Sequence, residues 1–319
     1  MITKEINDKE LTDHLNKIHK DEMSVFVMAD GRVRGALFHG TKFVNQARAQ
    51  HNLGILETML FGQAALCGAL LLPTMKGKER KVWHYECDGS AKGFTIDADS
   101  TGHVRGYLDV DHIPLDKPLE SWDLTPFLGN GYMTMTTMQE FDKEPSVSSV
   151  DILYKNITKD LAWYFLQSEQ ITTAFTTSIF MDKQGRVTGA GGMFIQVLPE
   201  TGGTKIKGSQ LNSSSDQKAD EELITRVENA ISACPSLGKW FSDGGDLEDI
   251  IYGLFREFNP KVAVTRDVFF DCPCTKEFYL DYLNNLPEAQ KAEFKKGNEP
   301  LEIVCKNCGS VYTINLDEF

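Results

Sequence analysis

Asp271-Cys272-Pro273-Cys274 and, further on, Cys305-Lys306-Asn307-Cys308-Gly309-Ser310 bracket the stretch around which this chain is organised. Two close cysteine pairs joined by a foldable segment suit a tetrahedral metal: each pair grips one edge of the tetrahedron, and the residues between them fold over to bring the pairs together. Four soft thiolates select zinc ahead of any harder cation. All seven histidines lie at or before His112, so a site closed within this stretch uses Cys272, Cys274, Cys305 and Cys308 alone. Four protein ligands leave no open position for a catalytic water, and one structural Zn2+ per chain is the expectation. The competing reading, two unrelated thiol pairs packed as small apolar residues, is disfavoured by the specificity of paired C-x-C and C-x2-C spacing.

At 319 residues the chain exceeds the size at which a single core keeps growing, so more than one unit is expected. Hydrophobic residues make up 41% of it, enough for a sizeable core. A formal net charge of -13 argues against nucleic acid, whose phosphates demand Lys and Arg, and against an anionic membrane surface. The cysteine-bearing end shares this bias, with six Lys/Arg against ten Asp/Glu in residues 265–319. Met1-Ile2-Thr3-Lys4-Glu5 carries no apolar signal-peptide core, and the most apolar run, 64–72, is too short for a membrane span. Without an export signal the seven cysteines read as reduced thiols, which places the chain in the cytoplasm.

Upstream of the cysteines, periodicity predicts an α+β domain dominated by strands. Residues 23–28 and 32–38 read as a hairpin turned at Asp30-Gly31. A helix follows at 41–52 with Thr41 as its cap. In the next helix Leu56, Met59, Leu60, Gln63, Ala64, Cys67 and Leu71 recur at helical spacing, its other face is nearly as apolar, and Pro73 ends it. Such a helix is buried almost all round, and Cys67 is a packed small residue. The period then changes to two, with strands at 81–86, 92–98, 103–109, 133–138 and 146–153. Thr158 caps a further helix, and 171–181 with 187–198 form a last β pair around Asp182-Lys183-Gln184-Gly185.

Between Pro199 and Pro260 the composition shifts, and 201–217 is a Gly, Ser, Thr and Lys-rich linker. Two amphipathic helices follow, with Leu223, Ile224, Val227, Ala230 and Ile231 on the face of one. Leu247, Ile250, Ile251, Leu254, Phe255 and Phe258 line the other. Two short helices make no core alone and must dock on a neighbour, either as a permanent layer or as one that undocks. In the cysteine module, helices are expected at 278–286 and 287–294, and a hairpin of 301–304 with 311–314 carries Cys305 and Cys308 in its knuckle. The expected units are thus 1–199, an α+β core domain; 200–262, a helical linker; and 263–319, a small zinc-binding module.

The stability arithmetic gives the zinc a second role. Structural zinc supplies roughly 10–16 kcal/mol in small fingers, whereas a domain of this size is stable by only about 3–8 kcal/mol. Losing the metal unfolds it. Zinc thiolates are also the oxidisable form of cysteine. A disulfide within either close pair shuts a tiny loop and stabilises little; cross-pairs would stabilise more, and spacing alone leaves the connectivity open. The physical expectation is an oxidation-triggered unfolding switch that exposes the apolar helices upstream. Its alternative is a constitutive zinc-stabilised interaction protein.

Signals for catalysis are weaker. No Walker A sequence occurs, and Gly189-Ala190-Gly191-Gly192 runs into the strand pattern Met193-Phe194-Ile195-Gln196-Val197 rather than a helix, which removes a phosphate site. Glycines permitting close backbone approach are the better reading. His84-Tyr85-Glu86 and Cys305-x-x-Cys308 share halves of a zinc deaminase signature. The halves lie far apart, however, no Pro precedes Cys305, and Cys272 and Cys274 would be idle. No catalytic residue is assigned, and the chain reads as a non-enzyme.

With these residues assembled, the chain resembles the heat shock protein 33 family of redox-regulated 33 kDa chaperonins. The strongest element is Cys272-x-Cys274 with Cys305-x-x-Cys308. Val33-Arg34-Gly35, Gly129-Asn130-Gly131-Tyr132, Ser168-Glu169-Gln170 and Gly191-Gly192-Met193-Phe194-Ile195-Gln196-Val197 follow the family's order over essentially the whole chain. The resemblance implies a cytosolic, ATP-independent holdase, inactive while reduced and zinc-bound. It implies that oxidants, with heat or unfolding stress, form disulfides within each pair, Cys272 with Cys274 and Cys305 with Cys308, release zinc and unfold the linker. It further implies a homodimeric active form that binds unfolding clients and passes them to ATP-dependent chaperones. Cys67, Cys87 and Cys234 lie outside the motif; Cys234, beside a linker helix, is flagged as a stray reactive thiol.

Overall fold

The computed structural model describes every residue except 116, 118, 120, 199–213 and 298, with the backbone alone at 214–220. A short helix, α1 (Lys9–Leu15), precedes the hairpin of β1 (Glu22–Met28) and β2 (Val33–His39). Helices α2 (Thr41–His51) and α3 (Ile55–Leu70) follow, then the strands β3 (Arg80–Cys87), β4 (Gly93–Asp99), β5 (His103–Leu108), β6 (Gly131–Met138) and β7 (Ser146–Asp151). Helix α4 (Ile157–Tyr164) leads to β8 (Thr173–Met181) and β9 (Val187–Val197). Next come α5 (Ser214–Ser232), α6 (Leu237–Ser242) and α7 (Leu247–Leu254), and two strands, β10 (Lys261–Arg266) and β11 (Phe269–Phe270). The C-terminal part is α8 (Lys276–Asn284), α9 (Glu288–Phe294) and the hairpin β12 (Leu301–Val304) with β13 (Val311–Ile314). The fold is α+β, strand-rich in its N-terminal part, with a helical region and a C-terminal four-cysteine cluster.

Among the described residues two large sheets form, ordered β10-β1-β2-β9-β8 and β11-β5-β4-β3-β6-β7. The period of two in β2 distributes its side chains between two cores. Ala36 and Phe38 join the cluster shared with α3 and the second sheet, while Val33 and Leu37 turn to the opposite face. Helix α3 lies between the sheets, against Ala36 and Phe194 on one side and Ile96 and Val104 on the other. That is why apolar residues surround it. With the turn that follows, Ile55–Thr74 is long and apolar enough to cross a membrane, yet 89% of its most apolar window is buried in this core. The short run 64–72 understated its length.

The outer face of the first sheet carries the α5–α7 layer. Phe26, Met28, Val33, Leu37, Met193 and Ile195 meet Leu223, Val227, Leu237, Phe241, Ile250, Ile251 and Phe255 there. Both expected apolar faces are the docked ones. The run 201–213 of the expected linker lies outside the described residues, and α5 has already begun at Ser214.

Two caps differ from expectation. Thr41 is the first residue of α2, not its cap; Gly40 holds that position, and the Asp21 carboxylate accepts from Lys42 N (3.1 Å) and Phe43 N (2.7 Å). An anionic carboxylate at a helix N-terminus satisfies donors no helical partner can reach. In α4 the cap is Asn156, whose side chain accepts from Lys159 N; Thr158 instead donates to Asn156 Oδ1. The segment after α7 also holds more than the sequence pattern suggested. β10 pairs antiparallel with β1 and β11 pairs parallel with β5, so residue 263 falls inside a strand of the first sheet.

Candidate metal centre

Each cysteine pair is delivered by a strand. Phe269 N donates to Gly102 O (2.9 Å) and Asp271 N to Val104 O (3.0 Å), fixing β11 to β5 immediately before Cys272. Phe270 is buried edge-on against Phe43 and Phe61. The second pair sits where the β12–β13 hairpin closes. Cys305 N donates to Ser310 O and Gly309 N to Cys305 O, both at 2.8 Å, and Gly309 takes a positive φ of 62°. This knuckle matches the predicted hairpin and its strand limits.

The four sulfurs lie within 4.8 Å of one another. Cys272 Sγ to Cys305 Sγ is 3.8 Å and Cys274 Sγ to Cys308 Sγ is 3.4 Å. A zinc–sulfur bond of about 2.3 Å gives a tetrahedron with an edge of about 3.8 Å. The observed separations suit that edge and are far from a disulfide bond of about 2.05 Å. All four residues are buried. Donor type, number and spacing therefore fit a tetrahedral thiophilic cation, which Cys272, Cys274, Cys305 and Cys308 could hold.

The electrostatics point the same way. Cys305 is held low chiefly by the neighbouring Cys272 sulfur and then by Cys308, while Cys272 is pushed up by its contacts with Cys305 and Cys308 and by burial. Packed sulfurs cannot all ionise without a compensating charge, and a divalent cation supplies it. Tyr312 Oη donates to Cys274 O (2.8 Å) and lies 3.3 Å from Cys274 Sγ; Cys308 Sγ donates to Ser310 Oγ (3.2 Å). Arg80 and Arg105 share a cleft of about 390 Å³ with Cys272, Cys274 and Cys305. Asp97 accepts from the Nε of both guanidiniums at 2.7 Å and fixes their planes.

The module has little else to hold it together. Its cluster of buried residues is the four cysteines and Tyr312, with Met1 and Tyr279 packed alongside. Among the described residues after Asp271, Leu283 and Ile314 are the other buried apolar ones. It docks through its knuckle: Gly106 N donates to Asn307 O (3.1 Å), His51 Nε2 lies 3.3 Å from the same oxygen, and Gln50 Nε2 donates to Cys308 O (2.9 Å). Sequence reading missed Gln50, His51 and Gly106, because a side chain or amide that meets a distant backbone carbonyl leaves no local pattern.

The remaining candidates stand apart from the sulfurs. Cys67 is buried in α3 and Cys87 at the end of β3. Burial pushes the Cys234 thiol up to about 11, which disfavours its thiolate while the helical layer is docked. His84 bonds Thr95 Oγ1 (2.9 Å) from β3 and Glu86 lies beside it; neither belongs to the four-sulfur group. Gly189–Gly192 form part of β9, as the strand reading expects.

Comparison with known proteins extends this picture to the whole chain. A family model described as "Hsp33 protein" matches residues 21–315. A 33 kDa chaperonin of Prochlorococcus marinus is 30% identical over 91% of this chain and 94% of its own length. One from Streptococcus mutans is 27% identical over 92% and 94%. The crystal structure of the 33 kDa chaperonin of Thermotoga maritima superposes with a TM-score of 0.77, at 27% identity, over 94% of this chain and 96% of that one. A match spanning both sheets, the helical layer and the cysteine module means that the chain belongs to the Hsp33 family.

Proposed function

We propose that this chain, a chaperone by its family, is a redox-regulated, ATP-independent holdase of the cytoplasm whose four-cysteine module is the sensor. In the reduced state Cys272, Cys274, Cys305 and Cys308 hold one Zn2+ per chain, which supplies cohesion to a module whose buried cluster consists mainly of its ligands. Oxidation pairs Cys272 with Cys274 and Cys305 with Cys308; each new S–S bond takes two electrons from two thiolates, the oxidant accepts them, and zinc leaves. Those short-loop disulfides do not replace the lost cohesion.

The observation that carries this reading is the gathering of four buried sulfurs within 4.8 Å at the end of β11. From there the chain runs back through the edge strand β10 to the helical layer. In this proposal residues 263–319 are the switch, residues 200–262 the metastable linker, and residues 1–199 the domain for client binding and dimerisation. When the layer lifts, the outer face of the first sheet opens, with Phe26, Leu37, Met193 and Ile195 on it. An exposed apolar face of that kind binds unfolding proteins without a side-chain code. Clients then pass to ATP-dependent chaperones; nucleic acid and membrane are not partners of this acidic chain.

The test is suppression of aggregation of a heat-unfolded client by reduced and by oxidised protein, with zinc release and thiol count followed together. Suppression after oxidation alone is expected. Equal suppression in both states would favour the alternative of a constitutive interaction protein, for which peroxide at raised temperature releases no zinc and exposes no apolar surface.

A further inference from the structure

Residues 1–4 lie across the cysteine module and touch both of its pairs. The Met1 nitrogen donates to the carbonyl oxygens of Cys272 (3.0 Å) and Cys274 (2.9 Å), and Met1 packs against the sulfur cluster. One residue on, Ile2 N donates to Ser310 Oγ (3.0 Å), the hydroxyl that accepts from Cys308 Sγ. The strap is then tied to α2. Lys4 N donates to Gln50 Oε1 and Lys4 Nζ to Gln50 O, each at 2.6 Å.

Gln50 is the meeting point. Its side chain is fully buried, and Nε2 donates both to Ile2 O (3.1 Å) and to Cys308 O (2.9 Å). One amide therefore joins helix, strap and knuckle, and it is satisfied only while all three stay together. The strap itself is exposed at residues 2–5, so it is held by these bonds rather than by burial. A segment held in that way opens at low cost without disturbing the core. It also lies outside residues 21–315, the part matched by the family model.

We propose that residues 1–4 and Gln50 form a clasp that positions both cysteine pairs on α2 and sets how readily the module detaches. The proposal rests on the reading of this module as the detachable part. The clasp adds a threshold to the metal: the C-x-C carbonyls and the knuckle hydroxyl are bonded to adjacent residues of one extended segment outside any sheet, so the pairs do not separate until the strap lifts.

The experiment uses the reduced, zinc-loaded full-length protein with no oxidant present. Ile2→Pro deletes the single N–H that reaches Ser310, and Gln50→Ala removes the amide. Amide exchange is read at residues 305–310 and in β3 and β4, together with zinc transfer to a chromogenic chelator. Ile2→Pro is expected to speed exchange in the knuckle and zinc transfer by about threefold to tenfold, the range of one net hydrogen bond. Gln50→Ala, which removes three bonds to strap and knuckle, is expected to speed both by more, with β3 and β4 unchanged in either variant. Unchanged knuckle exchange in Ile2→Pro, or equal acceleration in the knuckle and in β3 and β4, would overturn the clasp. Because no thiol is oxidised, failure here leaves the redox reading standing, and failure of the redox assay leaves this result intact.

Discussion

At the scale of single residues, Gly309 and His39 are the most exacting positions. Gly309 combines a φ of 62° with a location where a Cβ would lie 2.5 Å from Gln50 O. A side chain is thus strained by the backbone and repelled by α2. Gly309→Ala is expected to weaken docking of the knuckle by about 1–3 kcal/mol, seen as faster zinc transfer to a chelator with unchanged melting of the sheets. His39 stacks on Phe241 of α6, ring centroids 4.4 Å apart, with Nε2 2.8 Å from Thr41 Oγ1. Burial, with His19 and Lys42 nearby, pushes its pKa down from 6.5 to about 4. The undocked or unfolded form therefore binds the extra proton. Stability from the neutral ring is complete above pH 6.5 and is lost as the pH falls towards 4, to a limit on the order of 3 kcal/mol. Amide exchange in α6 measured between those pH values checks this, and His39→Gln should flatten the dependence.

At the scale of elements, α6 shows what the glycine run is for. A Cβ on Gly189 would sit well inside contact distance of Gly238 O, and one on Gly191 would overlap the Phe241 ring. The glycines let a helix rest directly on β9, backbone to backbone. Phe241, fully buried, anchors it. Phe241→Ala is expected to cost the layer about 3–5 kcal/mol and to raise binding of an apolar-surface dye in reduced protein; dye binding at the wild-type level would show that α6 is not the anchor. The run itself was readable as strand glycines, whereas its partner was not. With only Leu237–Ser242, α6 is too short to show a helical period. β10 escaped notice for a related reason: four of its six residues are exposed, and its pairing partner β1 lies far away in the chain.

At the scale of the molecule, two sheets share a large core around α3, while the cysteine module is held by a small one. Their stabilities should separate. Chelation under reducing conditions is expected to abolish exchange protection from residue 272 onwards and to leave β3, β4 and β9 protected. Retained protection in β12 and β13 would mean that the hairpin stands without the metal. Legibility divides along the same line. The grouping of the four cysteines, the hairpin that carries two of them, the buried α3 and the apolar faces of α5 and α7 could be read directly, because spacing and periodicity are local properties of the chain. The sequence alone could not indicate that β10 and β11 belong to the two sheets, that Gly309 rides on α2, or that one buried glutamine joins a helix, a strap and a knuckle. Those depend on which distant backbone groups meet, and hydrogen bonds across hundreds of residues are selected by packing of the whole chain rather than by any pattern within a segment.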